Sequence, residues 1–342
     1  MSKVYFLKIK NKSPEILEEA GKKISRMFSG FFDLEDRVAI KLHFGERGST
    51  TYLSPVLVKA IYDELKSGVK RMVLADCTVL YKGDRSFASS HKKLAKDQGF
   101  GFAPIEILDG ERGEEEIKIP VNLKHFKEVK IGAGLKNYNA VLALTHFKGH
   151  GGAGIGGALK NIGMGLGSKS GKLAMHEHYN LTINPETCRG CGACQKQCGG
   201  NAILIENGLA KIDRKKCSGC GLCISVCPYG AVERPMAELC SLNLQERIVE
   251  YVWGILKGRK SLFVNALLDI TAKCDCVKER QVPMMPDIGI LVSEDIVAID
   301  QASLDLVGKE KFEKPQIDPQ DQIDYAQKIG LGEKRYELIE IP

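Results

Sequence analysis

The chain has 342 residues, 44% of them hydrophobic and 27% charged, and its 49 lysines and arginines against 43 aspartates and glutamates give a formal charge of +6. Those proportions exclude a mainly disordered chain, and no apolar run approaches the ~18 residues that span a bilayer. The basic excess is too thinly spread to suggest a nucleic-acid partner, and the opening Met-Ser-Lys-Val-Tyr-Phe-Leu-Lys lacks the apolar core of a secretory signal, so a cytoplasmic protein with no membrane contact is expected.

Residues 4–9 read as a strand. Ser13 and Pro14 then supply a cap and a first-turn proline for a helix with Leu17, Ala20, Ile24 and Met27 on one face, closed by Gly30. Strands at 37–42 and 71–76 alternate with helices at 54–66 and 86–98, and further strands follow at 105–108 and 140–145. After residue 236 the same style resumes. Leu244, Ile248, Tyr251, Val252 and Ile255 form an apolar helical face ended by Gly258, strands follow at 261–267 and 288–292, and a helix at 297–307. Repeated strand–helix units predict an α/β fold with a mostly parallel sheet. Residues 1–181 and 236–342 read as two parts of one α/β domain, with 182–235 inserted as a small α+β module. Three domains in a row is the alternative.

The chain holds 12 cysteines, and in a reducing compartment these suggest metal binding or catalysis rather than disulfides. Eight form two copies of C-x2-C-x2-C-x3-C: Cys188, Cys191, Cys194 and Cys198, then Cys217, Cys220, Cys223 and Cys227, each 29 positions after its counterpart. Three closely spaced thiolates can wrap a loop round three irons of a cubane. In the bacterial two-cluster arrangement the fourth cysteine serves the other cluster. On this chain, cluster one takes Cys188, Cys191, Cys194 and Cys227, and cluster two takes Cys217, Cys220, Cys223 and Cys198. Gly190, Gly192, Gly219 and Gly221 stand between the ligands, where the backbone must turn amides toward sulfide. Pro228 follows Cys227 as the pattern prefers, whereas Gly199 follows Cys198. Structural zinc usually takes two separated C-x2-C pairs and fits tandem runs of four poorly. Two 4Fe-4S clusters are therefore expected. The basic residues Arg189, Lys196, Lys211, Arg214, Lys215 and Lys216 near the ligands suit an acidic redox partner.

Residues 149–171 are dense in glycine. Gly152, Gly154 and Gly157 match G-x-G-x-x-G with Glu177 twenty residues on, but no second strand ends at that glutamate, and Ser168 stands where a P-loop needs glycine. The segment reads instead as a flexible loop whose amides could cradle an anion. His146, His150, His176 and His178 bracket it, and Lys160 and Asn161 lie within it. His146, His150 and Lys160 are candidate catalytic residues. Of the leftover cysteines, Cys77 ends a strand, Cys240 precedes a helix, and Cys274-Asp275-Cys276 puts two thiols within reach of one soft metal or of each other. Cys274 and Cys276 with His146 and His150 form a candidate second metal or substrate site, with an additional metal ion as the expected occupant. Both loops follow expected strands, which predicts one shared pocket near the clusters.

His146-Phe-Lys-Gly-His150, then Gly-Gly-Ala-Leu-Lys160-Asn161 and the paired cysteine runs, resemble the uncharacterised iron–sulfur-centre proteins that carry the domain of unknown function 362 with an inserted ferredoxin module. Asp269-Ile-Thr-Ala-Lys-Cys274-Asp-Cys276 and Pro286-Asp287 through Asp300 are also similar to that family. The resemblance covers nearly the whole chain and supports the inserted layout, but implies no reaction. A redox protein that passes electrons between a partner protein and a small-molecule site in the α/β domain is the first expectation. A non-enzymatic electron carrier, or a redox or iron sensor, is the alternative.

Overall fold

A computed structural model of the chain describes residues 1–176, 181–217, 219–233 and 242–342. It opens with β1 (Ser2–Lys8), α1 (Pro14–Met27), β2 (Arg37–Lys41), α2 (Pro55–Leu65), β3 (Arg71–Asp76), α3 (Ala88–Ala95) and β4 (Ile105–Ile107). The Ser13 hydroxyl accepts from the Ile16 amide and so caps α1, with Pro14 in the first turn. A hairpin of β5 (Glu116–Pro120) and β6 (Glu128–Gly132) leads to β7 (Ala140–His146), every residue of which is buried. A second hairpin, β8 (Lys148–His150) and β9 (Gly154–Gly156), precedes α4 (Ala158–Leu166) and α5 (Lys169–Met175).

The cysteine-rich segment is built from short pieces: β10 (Thr182–Ile183), α6 (Ala193–Lys196), β11 (Ile203–Glu206), β12 (Leu209–Ile212), α7 (Leu222–Val226) and β13 (Val232–Glu233). The chain then runs through α8 (Leu242–Leu256), β14 (Lys260–Leu267), β15 (Gly289–Ser293), α9 (Ile296–Val307), α10 (Gln320–Lys328) and β16 (Tyr336–Glu340).

Eight strands form one sheet in the order β16-β1-β15-β14-β7-β2-β3-β4. All neighbours are parallel except β15, which is antiparallel to both β1 and β14. The fold is thus α/β with a mostly parallel sheet. The segment between β14 and β15 contains no helix to carry the chain back across the sheet, so β15 returns antiparallel. Strands from before and after the cysteine-rich segment share this sheet, while among the described residues β10 pairs with β13 alone and β11 with β12 alone.

Alternating side chains of the central strands serve two cores. Val38, Ile40, Leu42, Leu142 and Leu144 pack against α1 and α2, while the small Ala39, Ala75 and Ala143 face α4 and α8. Small residues there let α4 approach closely, and its glycines do the same on the other side: a β-carbon on Gly163 would stand 2.4 Å from the Ile248 carbonyl oxygen of α8. The glycine-rich run expected to be a flexible loop is therefore a hairpin and two helices. Each helical glycine costs ~1 kcal/mol against alanine, which close packing offsets. Among the described residues no helix is long and apolar enough to cross a membrane.

Candidate functional site

Four parallel strands, β14, β7, β2 and β3, end on the same side of the sheet. The residues that follow them line a cavity of about 410 Å³. Such ends are where open α/β sheets place ligands, because helices leave a crevice there. Lys41 and His43 come from the end of β2, Asp76 from the end of β3, and Tyr81 and Arg85 from the turn after it. His150 and Gly152 come from the β8–β9 hairpin, Lys160 and Asn161 from α4, and Lys172 and His176 from α5 and its end.

The floor of the cavity is a buried ion network. Asp76 accepts from Arg85 Nη2 at 2.7 Å and lies 3.3 Å from Lys41 Nζ and 3.5 Å from His91 Nε2. Burial alone would raise the Asp76 carboxyl, but the charges of Lys41 and Arg85 hold it well below the usual carboxylate range. Burial pulls Lys41 down to about 8, against the attraction of Asp76 and helped by the charge of Arg85. Lys41 Nζ also donates to Asn161 Oδ1 at 2.8 Å and to the Leu42 carbonyl at 2.9 Å. A β-carbon on Gly165 would fall 2.1 Å from Lys41 Cε, so any larger residue there would push this lysine aside. Burial and the neighbouring Arg85 charge keep His43 well below its ordinary value, and burial with Lys160 does the same for His150. Lining charges are mostly positive: Lys41, Arg85, Lys160 and Lys172 against Asp76.

One wall is the 274–276 loop. Cys274 and Cys276 sulfurs are 3.2 Å apart, close enough to share a proton, and Lys160 Nζ stands 3.9 Å from Cys274 Sγ. Cys276 faces the cavity with its sulfur 3.5 Å from His43 Nε2. Of the pair, Cys274 is the thiol pulled well below its ordinary value, by the hydrogen bond from Cys276 and by the lysine charges. Asp275, between them, turns inward to His146 Nδ1 at 2.9 Å and Lys148 Nζ at 3.0 Å. Burial opposes its ionisation, yet these two partners hold it at about 2. The loop is clamped to the histidine segment by the backbone as well. The Gly149 amide donates to the Thr271 carbonyl at 2.8 Å, and any β-carbon on Gly149 would strike the Ala272 carbonyl at 2.3 Å.

The anion cradle expected in the glycine run is filled from within the chain. The Asp300 carboxylate accepts from the Ala158 and Leu159 amides at 2.7 and 2.9 Å, capping α4, and from Asn265 Nδ2 at 2.8 Å. Burial lifts this carboxyl to about 6. His150 Nδ1 accepts from the Gly152 and Ala153 amides at 3.1 and 3.0 Å. What the glycines allow is close packing, and the groups open to a ligand are side chains.

The cysteine-rich segment forms two small cavities. Cys188, Cys191, Cys194 and Cys227 line one, and Cys198, Cys217, Cys220 and Cys223 line the other. Amides point at sulfur, from Ala202 to Cys198 at 3.2 Å, Ala210 to Cys188 at 3.4 Å and Ala231 to Cys227 at 3.2 Å. Gly190, Gly192, Gly219 and Gly221 all have positive φ, and α6 and α7 start directly after Gly192 and Gly221. This segment is compatible with iron–sulfur binding. It packs on the α/β sheet through Leu80 and Leu173. Ser225 Oγ donates to the Leu80 carbonyl and Lys82 Nζ to the Pro228 carbonyl, at 3.3 and 3.0 Å. Leu80 also lines the large cavity, so it touches both regions.

The structure brings together most residues singled out from the sequence. His150, Lys160, His176 and Cys276 line one cavity, Cys274 lies behind Cys276, and His146 is one layer further in, held by Asp275 rather than exposed to the cavity. Among the described residues the histidine in contact with a thiol of this loop is His43, which was missed, as were Lys41, Asp76 and Arg85. One signal was present: a charged residue closing an otherwise apolar strand, as in Val-Ala-Ile-Lys41 and Val-Leu-Ala-Asp76. Cys77 is buried in the core, its thiol donating to the Leu166 carbonyl at 3.6 Å, and does not reach the cavity. Glu177, His178 and Cys240 lie outside the described residues. Among the described residues no three His, Cys, Asp or Glu side chains converge to hold a single metal ion, so the expected additional ion finds no ready ligand set there.

No curated protein matches the chain in sequence. Among solved structures it is similar to the lactate racemase apoprotein from Thermoanaerobacterium thermosaccharolyticum, at 12% identity and a TM-score of 0.40, covering 78% of this chain and 50% of that one. It is also similar to a Thermotoga maritima protein, at 10% identity and a TM-score of 0.41, covering 94% of this chain and 61% of that one. The chain thus spans between half and two thirds of the length of these structures. The family described as domain of unknown function (DUF362) matches residues 38–305, which is most of the chain and includes every residue of the cavity and of the cysteine runs. The chain belongs to that family.

Proposed function

We propose that the protein is an iron–sulfur redox protein in which two 4Fe-4S clusters exchange electrons with a small anionic substrate held in the cationic cavity. One observation carries the reading: the eight cysteines gather as two sets of four, with Cys198 and Cys227 each exchanged between the runs, as two adjacent cubanes require. The donor set fits such groups. Each set is four thiols round a space, and amides are aimed at three of the sulfurs. Bound there, the clusters would supply one-electron transfer.

The chain's own residues account for the rest. Leu80 lines the cavity and also packs against the Cys220–Gly221 turn, so an apolar side chain stands between the two. Lys41, Arg85, Lys160 and Lys172 would bind and orient a carboxylate or phosphate, and Lys41, with its pKa near neutrality, could give or take a proton. The exposed Arg189, Lys196, Lys211, Arg214, Lys215 and Lys216 favour an acidic electron partner. The cysteine segment is proposed as an insertion into one α/β domain, since strands on either side of it share a sheet. Iron and acid-labile sulfide after anaerobic purification test this reading. About eight irons per chain are expected, and zinc in place of iron sinks it.

A further inference from the structure

The two thiols on the cavity wall have no part in that reading. We propose that Cys274 and Cys276 are a redox-active dithiol that exchanges with a small anionic disulfide admitted to the cavity.

The sulfurs, 3.2 Å apart, need only a small approach to bond. They differ in access. Cys276 lines the cavity and is partly exposed, whereas Cys274 is buried behind it with Lys160 at 3.9 Å. Cys276 is therefore the attacking sulfur and Cys274 the resolving one. His43 Nε2 lies 3.5 Å from Cys276 Sγ and is also met by the Arg85 guanidinium, which can only donate, so Arg85 stands next to the cavity-facing thiol. The charges of Lys160 and Arg85 favour a thiolate on this wall wherever the shared proton sits.

The exchange balances without another oxidant. The proton shared by the pair first moves onto Cys274, against the resting preference for a Cys274 thiolate. The accessible Cys276 thiolate so formed attacks one sulfur of R–S–S–R′, the S–S bond breaks, and R′S⁻ leaves with an electron pair. Cys274 gives up its proton to R′S⁻ and attacks the Cys276 sulfur of the mixed disulfide. RS⁻ leaves and takes the second proton from water. Two thiols have become one internal disulfide and the disulfide ligand has become two thiols. A dithiol reductant reverses the sequence. Selectivity follows from the lining, where Lys41, Arg85, Lys160 and Lys172 face Asp76, the single lining carboxylate among the described residues and already paired with Lys41 and Arg85. A ligand bearing carboxylates is drawn in and a cationic one is repelled.

The proposal shares the cavity with the proposed function but not the clusters, and its readout lies in a peptide free of the repeated cysteines. The reduced, anaerobic full-length protein is treated with dithiodiglycolate, bis(2-hydroxyethyl) disulfide or cystamine, quenched in acid, alkylated and digested. In the wild type, the peptide carrying residues 274–276 is expected to lose two hydrogens and both alkylation sites together, at least tenfold faster with dithiodiglycolate than with cystamine. Cys274→Ser should trap a mixed disulfide on Cys276, and Cys276→Ser should leave Cys274 unreacted. Independent alkylation of both thiols in the oxidised wild type, or cystamine as the fastest reagent, overturns the proposal whether or not the variants fold. Iron counted on the same samples separates this result from the cluster reading: a chain without iron that still forms the disulfide refutes only the clusters, and an iron-loaded chain that does not refutes only the dithiol.

Discussion

The cysteine segment and the cavity beside it are assembled in opposite ways. The eight repeated cysteines come from one stretch of 40 residues, between Cys188 and Cys227, and spacing alone brings them near one another. The cavity draws Lys41, Asp76, Arg85, His150, Lys160, Lys172 and Cys276 from segments spread over more than 230 positions. A local site tolerates a change in the sheet, whereas a site made of strand ends stands or falls with it. Their electrostatics differ too. Most cysteines of the segment lie near the surface, but Lys41, Asp76 and Arg85 are each no more than 3% exposed, so every charge in the cavity floor depends on a partner.

The largest expected effect breaks the local site. Cys198→Ser should reduce iron from about eight to about four atoms per chain, and the residual paramagnetic spectrum should match that of Cys217→Ser. A spectrum matching Cys188→Ser instead would show that each run keeps its own fourth ligand.

Next comes the distributed site. Asp76→Ala strands Lys41 and Arg85 in the interior and should cost ~3–5 kcal/mol in denaturant unfolding of the α/β fold, while iron per folded chain stays unchanged. A loss of iron of the same proportion would mean that the two regions are one cooperative unit.

Asp300 sharpens the contrast through pH. Its folded carboxyl sits at about 6, above the unfolded value. The folded state therefore binds the proton more tightly, and the stability this contributes is present below about pH 4 and lost as pH rises through 6. Relative to Asp300→Asn, the wild type should lose about 3 kcal/mol between about pH 4 and 7. Parallel curves would contradict the buried cap. The smallest effect is Gly165→Ala, which pushes on Lys41 and should cost ~1–3 kcal/mol. Calorimetry measures it, and a gain in stability from helix propensity alone would show that Lys41 has room to move.

Much of the fold was legible residue by residue. Ser13-Pro14 marked the start of α1, and the apolar runs ending at Lys41, Asp76 and His146 marked central strands to within a residue or so. The antiparallel direction of β15 was not, because strand direction depends on what the intervening segment does in space. The glycine run was misread as a loop since glycine lowers helix propensity locally, and only contact with Ile248 and Asp300 gives α4 its reason to form.

By itself the sequence determined chemistry that is local: which thiols repeat, at what spacing, and which two more sit one residue apart at 274 and 276. Register within a short loop is set by covalent geometry, so neighbours in the chain are neighbours in space. Tertiary structure alone decided that His43 rather than His146 or His150 meets Cys276, that Asp300 fills the helix end meant for an anion, and that Lys41, Asp76 and Arg85 share one buried network. Those pairings depend on which strands lie side by side, and the sheet order β14-β7-β2-β3 is fixed by burying two cores at once, a condition no single segment carries.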